Sequence, residues 1–243
     1  MAKVPKTFRL NETQRRVCEC VRTGVTYVDR DALQARLREL AFPIRFLDFE
    51  TIMSAVPRYA RTRPYQAIPF QWSLHTLKKD GTLGHDEYLC REDKDPRQEL
   101  ADALVGVLGD RRDRGSIVCY TRYEARVLQD LIASRPEHAA DFTAIISRLF
   151  DLHPVIRDTV YDPEFHGSFS LKAVQPALLP EMGTYDDLAI GDGSQAGVAY
   201  LKMIDPNMPR KEARKIYDDL LQYCGRDTLS TVELYRKLLE LAS

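Results

Sequence analysis

Pro43-Ile44-Arg45-Phe46-Leu47-Asp48-Phe49-Glu50-Thr51 is an apolar run that ends in two carboxylates separated by one residue. The run predicts a buried strand over Ile44 to Phe49. Successive side chains of a strand point to opposite faces, so Asp48 and Glu50 share one face. Two carboxylates on one face repel each other unless a cation sits between them, and hard divalent cations such as magnesium take oxygen ligands of this kind. An Asp-x-Glu triplet by itself is a weak signal, because a chain of this length holds roughly one by chance at average composition. A second copy, Asp162-Pro163-Glu164, carries a central proline that argues against an interior strand. The strand leading into Asp48 is what distinguishes the first copy.

Around this strand the pattern is α/β. Phe70, Trp72, Leu74 and Thr76 alternate with Gln71, Ser73 and His75, as in a half-buried strand. Lys79-Asp80-Gly81 marks a turn, so Gly84–Cys90 is the expected hairpin partner. Asp95-Pro96 opens a helix with proline at its first position and Leu100, Leu104, Val107 and Leu108 on its apolar face. Ser116-Ile117-Val118-Cys119-Tyr120, bounded by Gly115, reads as a central strand, followed by a helix through Ala125, Val127, Leu128, Leu131 and Ile132. Pro136 starts a helix ending near Phe150, and Ser168 to Leu178 forms a short one. Glu181 to Asp192 is loop, as are residues 51–66. Helices over 209–222 and 224–241 close the chain and are able to run together. Upstream, residues 11–22 form a helix with Asn11 as N-cap, and Ala32 to Leu40 a second with Asp31 as cap. The order predicts a mixed sheet flanked by helices over residues 43–243, preceded by a helical N-terminal extension over 1–42.

The chain has 243 residues, 44% of them hydrophobic, enough for one sizeable core. It has no apolar stretch of bilayer length and no signal-peptide pattern at Met1-Ala2-Lys3-Val4, so no membrane partner is expected. The five cysteines (Cys18, Cys20, Cys90, Cys119, Cys224) are odd in number and scattered, which points to a reducing cytoplasm. Cys18-Glu19-Cys20 lacks a second Cys/His pair at finger-like spacing, so zinc is not expected there. A net charge of −1 excludes nucleic-acid binding through bulk charge. A polyanion would be held by a local basic patch or through metal ions. Arg58/Arg61/Arg63, Arg111/Arg112/Arg114 and Arg210/Lys211/Arg214/Lys215 are candidate patches, each of which reads first as solvated surface.

Further elements complete the acidic constellation. Tyr223-Cys224-Gly225-Arg226-Asp227, if helical, puts Tyr223 and Asp227 one turn apart on one face, with Leu229, Val232, Leu234 and Leu238 supplying the buried side. Tyr27 and Asp31 have the same spacing but fall in a loop before a helix. Glu124 follows the strand ending at Tyr120, where active-site groups of open α/β sheets gather. A helix-N-terminal glutamate favoured by the macrodipole is the simpler reading of it on spacing alone. Asp151 and Asp158 compete for the same role, and Asp151 reads as a cap. Gln71, Ser73 and His75 read as a solvated hairpin face or a substrate contact, Lys172 as a surface lysine or a phosphate contact, and Trp72 as core.

Strand-borne Asp48-x-Glu50, a later acidic residue after an apolar strand, and Tyr223-x-x-x-Asp227, in that order, resemble the DEDD exonucleases of the ribonuclease H-like fold, in the DEDDy subgroup. More closely, the chain resembles an uncharacterised bacterial domain-of-unknown-function family. The matching stretches are Phe46-Leu47-Asp48-Phe49-Glu50-Thr51, Ile68-Pro69-Phe70-Gln71-Trp72-Ser73-Leu74-His75, Gly167-Ser168-Phe169-Ser170-Leu171-Lys172 and Tyr223-Cys224-Gly225-Arg226-Asp227-Thr228, covering most of the chain from about residue 10. The exonuclease resemblance implies a metal-dependent 3′–5′ exonuclease acting on the 3′ end of single-stranded DNA or RNA. Two magnesium or manganese ions would be held by Asp48, Glu50, Glu124 and Asp227, with Tyr223 orienting the attacking water. Such ions polarise a phosphodiester, lower the pKa of a bound water and stabilise the leaving oxygen. Glu124 stands where the superfamily has aspartate. That departure keeps two alternatives open: a non-catalytic nucleic-acid- or protein-binding module, and an accessory domain of a larger nuclease.

Overall fold

The computed structural model describes residues 4–5 and 7–243, and of Asp186 the backbone alone. Met1, Ala2 and Lys3, the start of the stretch read for a signal peptide, lie outside the described residues. Along the chain run α1 (Glu12–Thr23), β1 (Tyr27–Val28), α2 (Arg30–Leu37), β2 (Ile44–Ile52), β3 (Ile68–Leu77), β4 (Leu83–Leu89), α3 (Arg97–Leu108) and β5 (Ile117–Cys119). They are followed by α4 (Tyr123–Ser134), α5 (Ala139–Ile146), β6 (Leu149–Asp151), α6 (Leu152–Thr159), β7 (Val160–Tyr161), α7 (Leu171–Leu178), α8 (Gly193–Met203) and α9 (Arg210–Ala242).

The apolar run before Asp48 becomes the middle strand of a five-stranded sheet ordered β4-β3-β2-β5-β6. β2–β3 and β3–β4 are antiparallel, β2–β5 and β5–β6 parallel. The architecture is a mixed sheet flanked by helices, compatible with a ribonuclease H-like fold. β1 and β7 form a separate two-stranded ribbon. A central strand is covered on both faces, and the pleat of β2 divides its apolar residues accordingly. Ile44 and Phe46 pack with Leu33, Val232, Leu234 and Tyr235 beneath α2 and α9. Leu47 and Phe49 pack with Trp72, Leu100, Leu104, Leu128 and Phe142 beneath α3, α4 and α5. Asp48 and Glu50 continue the first face, so α9 is the helix set against them. Val17 and Cys20 of α1 and Leu33 and Leu37 of α2 belong to that same first cluster.

The register shifts where the carboxylates lie. Glu50 pairs with Gln71 but Thr51 with Pro69, which leaves Phe70 as an extra residue on β3. Bulges of this kind bend a strand and re-aim its side chains. Phe70 turns into a third cluster and stacks on Tyr200 of α8, with ring centres 4.1 Å apart. α8 approaches the end of β2 through small residues: a β-carbon at Gly193 would lie 3.4 Å from Glu50 Oε2, and one at Gly197 3.4 Å from the Thr51 carbonyl oxygen.

Several boundaries differ from expectation. Asp29 caps α2, accepting the Ala32 amide at 3.0 Å. Asp31 lies inside the first turn and helix ends at Leu37. Pro96 is the residue before α3 rather than its first helical position. The helix expected to end near Phe150 is a 3₁₀ turn at Pro136–His138 followed by α5, because Phe150 pairs with Val118 and covers the open edge of β5. The sequence reading missed α6 and α8. β3 is buried on both faces rather than one, since α9 covers Gln71, Ser73 and His75. The two C-terminal helices are one. Asp151 caps α6 by accepting the His153 amide, as read.

At the end of the sheet away from the carboxylates, Asp113 pairs with Arg45 at 2.6 Å and Arg148 at 3.0 Å, tying β2 to the segments entering β5 and β6. The chain enters β5 through Gly115, where a β-carbon would lie 2.2 Å from the Pro43 carbonyl oxygen and 2.9 Å from Arg45 Nη1. Gly115→Ala is therefore expected to destabilise the protein by about 1–3 kcal/mol, the usual range for overpacking. A lowered urea midpoint at unchanged m-value is the readout, and an unchanged midpoint would contradict this packing.

Candidate metal centre

Four carboxylates meet where β2, α4 and α9 converge. Asp48 and Glu50 come from the middle and end of β2, Glu124 from the first turn of α4, and Asp227 from α9, one turn beyond Tyr223. Glu50, Glu124 and Asp227 are buried, Glu124 to 3% exposure. Asp48 and Glu124 share a hydrogen bond. The Cys224 thiol donates toward Asp48 Oδ2 at 3.8 Å, and one ligand atom each of Asp48, Glu50 and Cys224 lie within 4.8 Å of one another. The structure thus brings together every residue singled out from sequence for the constellation, Tyr223 included. It leaves Asp158 outside, in a surface pair with Arg157.

The position of α9 is set by polar contacts across β3. Gln71 Nε2 donates to the Leu220 carbonyl at 2.9 Å, Ser73 Oγ meets Thr228 Oγ1 at 2.8 Å, and His75 Nδ1 meets Thr228 Oγ1 at 2.8 Å. His85 continues the chain to Ser73 at 2.9 Å and stacks on His75 with ring centres 4.2 Å apart. Gln71 lies opposite Glu50 and Ser73 opposite Asp48 in the sheet register. These contacts fix the α9 turn that holds Asp227, the neighbour of Thr228. The expected solvated hairpin face is instead the seat of the helix. Burial lowers the pKa of His75 to about 4, so the imidazole is neutral at physiological pH.

Burial raises all four carboxylates, and the charges of their cluster neighbours add to it at Asp48 and Glu50. Asp48 is held well above the ordinary range, first by burial and then by the charges of Asp227, Glu50 and Glu124. Burial takes Glu50 to about 8, Glu124 to about 7 and Asp227 to about 6. The rise of Asp227 is held in check because hydrogen bonding from Tyr185, the Lys172 charge and hydrogen bonding from Tyr223 favour its ionised form. The Tyr223 hydroxyl is pushed upward by burial and by Asp227, Glu50 and Asp48, so it remains a proton donor across physiological pH. Glu124 Oε2 and Asp227 Oδ1 are buried with no hydrogen-bond partner. Buried polar oxygens ordinarily have partners, and two without them beside a cluster of like charge fit a hard cation that takes oxygen ligands. Cys224 adds a softer donor to the set.

Tyr185 and Cys224 at the centre were not legible as such, and Lys172 only as one of two readings. Lys172 is exposed, but its ammonium lies 5.4 Å from the Tyr185 ring centre and 5.6 Å from that of Tyr223, and its charge lowers both Glu50 and Asp227. Tyr185 comes from the segment read as loop, and its ring meets Tyr223 edge-on at 6.3 Å. Cys224 stood inside a quoted motif without a role. A cleft of about 670 Å³ opens beside Glu50, walled by Phe49, Met53, Tyr123, Val198 and Leu201.

The fold and site together define an α/β protein with a buried acidic cluster at the end of its central strand. A family model described as "Domain of unknown function (DUF2779)" matches residues 45–170, and the chain belongs to that family. The matched span holds Asp48, Glu50 and Glu124, whereas Tyr223 and Asp227 lie beyond it. No curated protein and no solved structure matches the chain.

The raised carboxylates fix the sign of a pH effect. Between the ordinary carboxylate range near 4 and the folded values of about 6, 7 and 8, the native metal-free protein binds more protons than the unfolded chain. Stability then falls as pH rises from about 4 to about 8 and levels off above. Melting curves in EDTA are expected to show Tm declining across that window, with a shallower decline in Asp48→Asn and recovery on adding manganese at pH 8. A Tm that rises through the window would contradict the clustering.

Proposed function

We propose that this protein is a metal-dependent 3′–5′ exonuclease that hydrolyses phosphodiester bonds of DNA or RNA by a two-metal-ion mechanism. The observation that carries the reading is the convergence of Asp48, Glu50, Glu124 and Asp227 from three separate elements into one buried cluster with two unpartnered oxygens. The order of these residues, with Tyr223 one turn before Asp227, resembles DEDDy exonucleases and supports the polarity.

In this reading Asp48, Glu50, Glu124 and Asp227 would hold two magnesium or manganese ions. When bound, such ions neutralise the phosphate, lower the pKa of the attacking water and stabilise the leaving oxygen. Asp48, whose carboxylate lies within ligand distance of Glu50 and Cys224, would be one of the groups that hold them. Tyr223, kept protonated beside Asp227, orients the attacking water and does not act as a base. Lys172 at the rim, its ammonium donating to the Gly191 carbonyl, offers a positive charge to the incoming phosphate. The apolar walls of the cleft beside Glu50 accept a sugar and base.

Labelled single-stranded oligonucleotides with magnesium or manganese test the proposal. Stepwise loss of 3′ nucleotides is expected, falling on the order of 10³-fold or more in Asp48→Asn, as when a preorganised electrostatic group is removed. Tyr223→Phe is expected to cost on the order of 10²-fold in kcat with manganese affinity retained. Manganese binding without hydrolysis of either polymer would overturn the exonuclease and leave the non-catalytic module.

A further inference from the structure

A second cavity, of about 730 Å³, lies at the opposite end of α4, lined by Arg61, Arg63, Arg97 and Arg135 together with Asp95 and Asp130. Four guanidinium groups thus face two carboxylates. Asp95 is already engaged, taking a fork of hydrogen bonds from Arg97 Nε at 2.9 Å and Nη2 at 2.5 Å. Arg97 is almost fully buried and also donates to the Ala60 carbonyl at 3.3 Å, so this pair forms the floor of the cavity. The other arginines are different. Arg135 Nε is buried with no hydrogen-bond partner. Arg61 and Arg63 are exposed, and neither makes an ion pair among the described residues. Arg58, read with them as one basic patch, is instead neutralised by Asp93 at 2.7 Å. The Arg111/Arg112 patch is likewise paired, with Asp141 and Asp110.

The cavity is joined to the carboxylates by two routes. α4 carries Glu124 in its first turn and Arg135 just past its last, about 16 Å apart at the helical rise of 1.5 Å per residue. The loop after β2 supplies Met53 and Ser54 to the cleft beside Glu50, and Ala60 to Arg63 to the arginine cavity. Guanidinium groups match phosphate oxygens in fork geometry, and a buried donor without an acceptor is what a phosphate satisfies.

We propose that this arginine cavity is a second phosphate site, which takes the backbone of the nucleic-acid strand upstream of the bond held at the carboxylates. It rests on the nuclease reading for the direction of the strand, and its test does not depend on cleavage. A fluorescent single-stranded 20-mer, as DNA and as RNA, is titrated in EDTA by anisotropy at several salt concentrations. Arg61→Gln/Arg63→Gln is expected to bind on the order of tenfold more weakly, with the slope of log K against log salt shallower by about 1.4, the value for two lost single-strand phosphate contacts. Arg111→Gln/Arg112→Gln is the control and keeps the wild-type slope. Glutamine retains the size of each side chain, and an unchanged Tm shows that the fold is intact. A slope unchanged in the first variant, or reduced equally in the control, would overturn the site. If the wild type cleaves no oligonucleotide yet the arginine-dependent slope remains, the nuclease reading fails and the phosphate site stands.

Discussion

Like charges a few ångströms apart, away from water, repel by several kcal/mol each, and this protein gathers four carboxylates in such a place. Nothing about the cluster is self-assembling, so rigid elements have to impose it. β2 is the centre of the sheet, paired on both sides, and cannot slip without moving every apolar residue to the wrong face. α9 is 33 residues long, and its middle lies across β3 on the Gln71, Ser73, His75 and Thr228 contacts. The C-terminal half of α9 buries Val232, Leu234 and Leu238 in the core, which anchors Asp227 against the repulsion. Lys172 and the two tyrosine hydroxyls relieve part of the charge. The remainder shows as raised pKa values and as two buried oxygens without a hydrogen-bond partner.

The sequence disclosed the parts of this design that rest on local pattern. The central strand, the hairpin and the acidic pair on one face follow from apolar runs and a period of two, read correctly because each is decided within a dozen residues. Tyr223 and Asp227 were legible for the same reason, as a one-turn pair on an amphipathic helix. What remained hidden depends on distant partners. Gln71, Ser73 and His75 look like a solvated face until a helix about 150 residues later is laid on them. Lys172 is an exposed lysine by every local measure, and only the fold brings it over Tyr185 and Tyr223. α8 escaped notice because its start is rich in glycine, a feature explained by its close approach to β2 and invisible as a helix propensity.

Glu124 shows how a position that looked anomalous is accommodated. A carboxylate on the first turn of a helix is favoured there by the macrodipole whatever its length. The neighbouring Tyr123 ties this turn to the strand: its hydroxyl meets Thr51 Oγ1, at the end of β2, at 2.5 Å. A whole tyrosine thus spans the gap between α4 and β2. Glu124 itself, 3% exposed, is in hydrogen-bonding contact with Asp48 and with the Cys119 thiol. A carboxylate on this turn is thus favoured by the helix dipole and held from the sheet by Asp48 and Cys119.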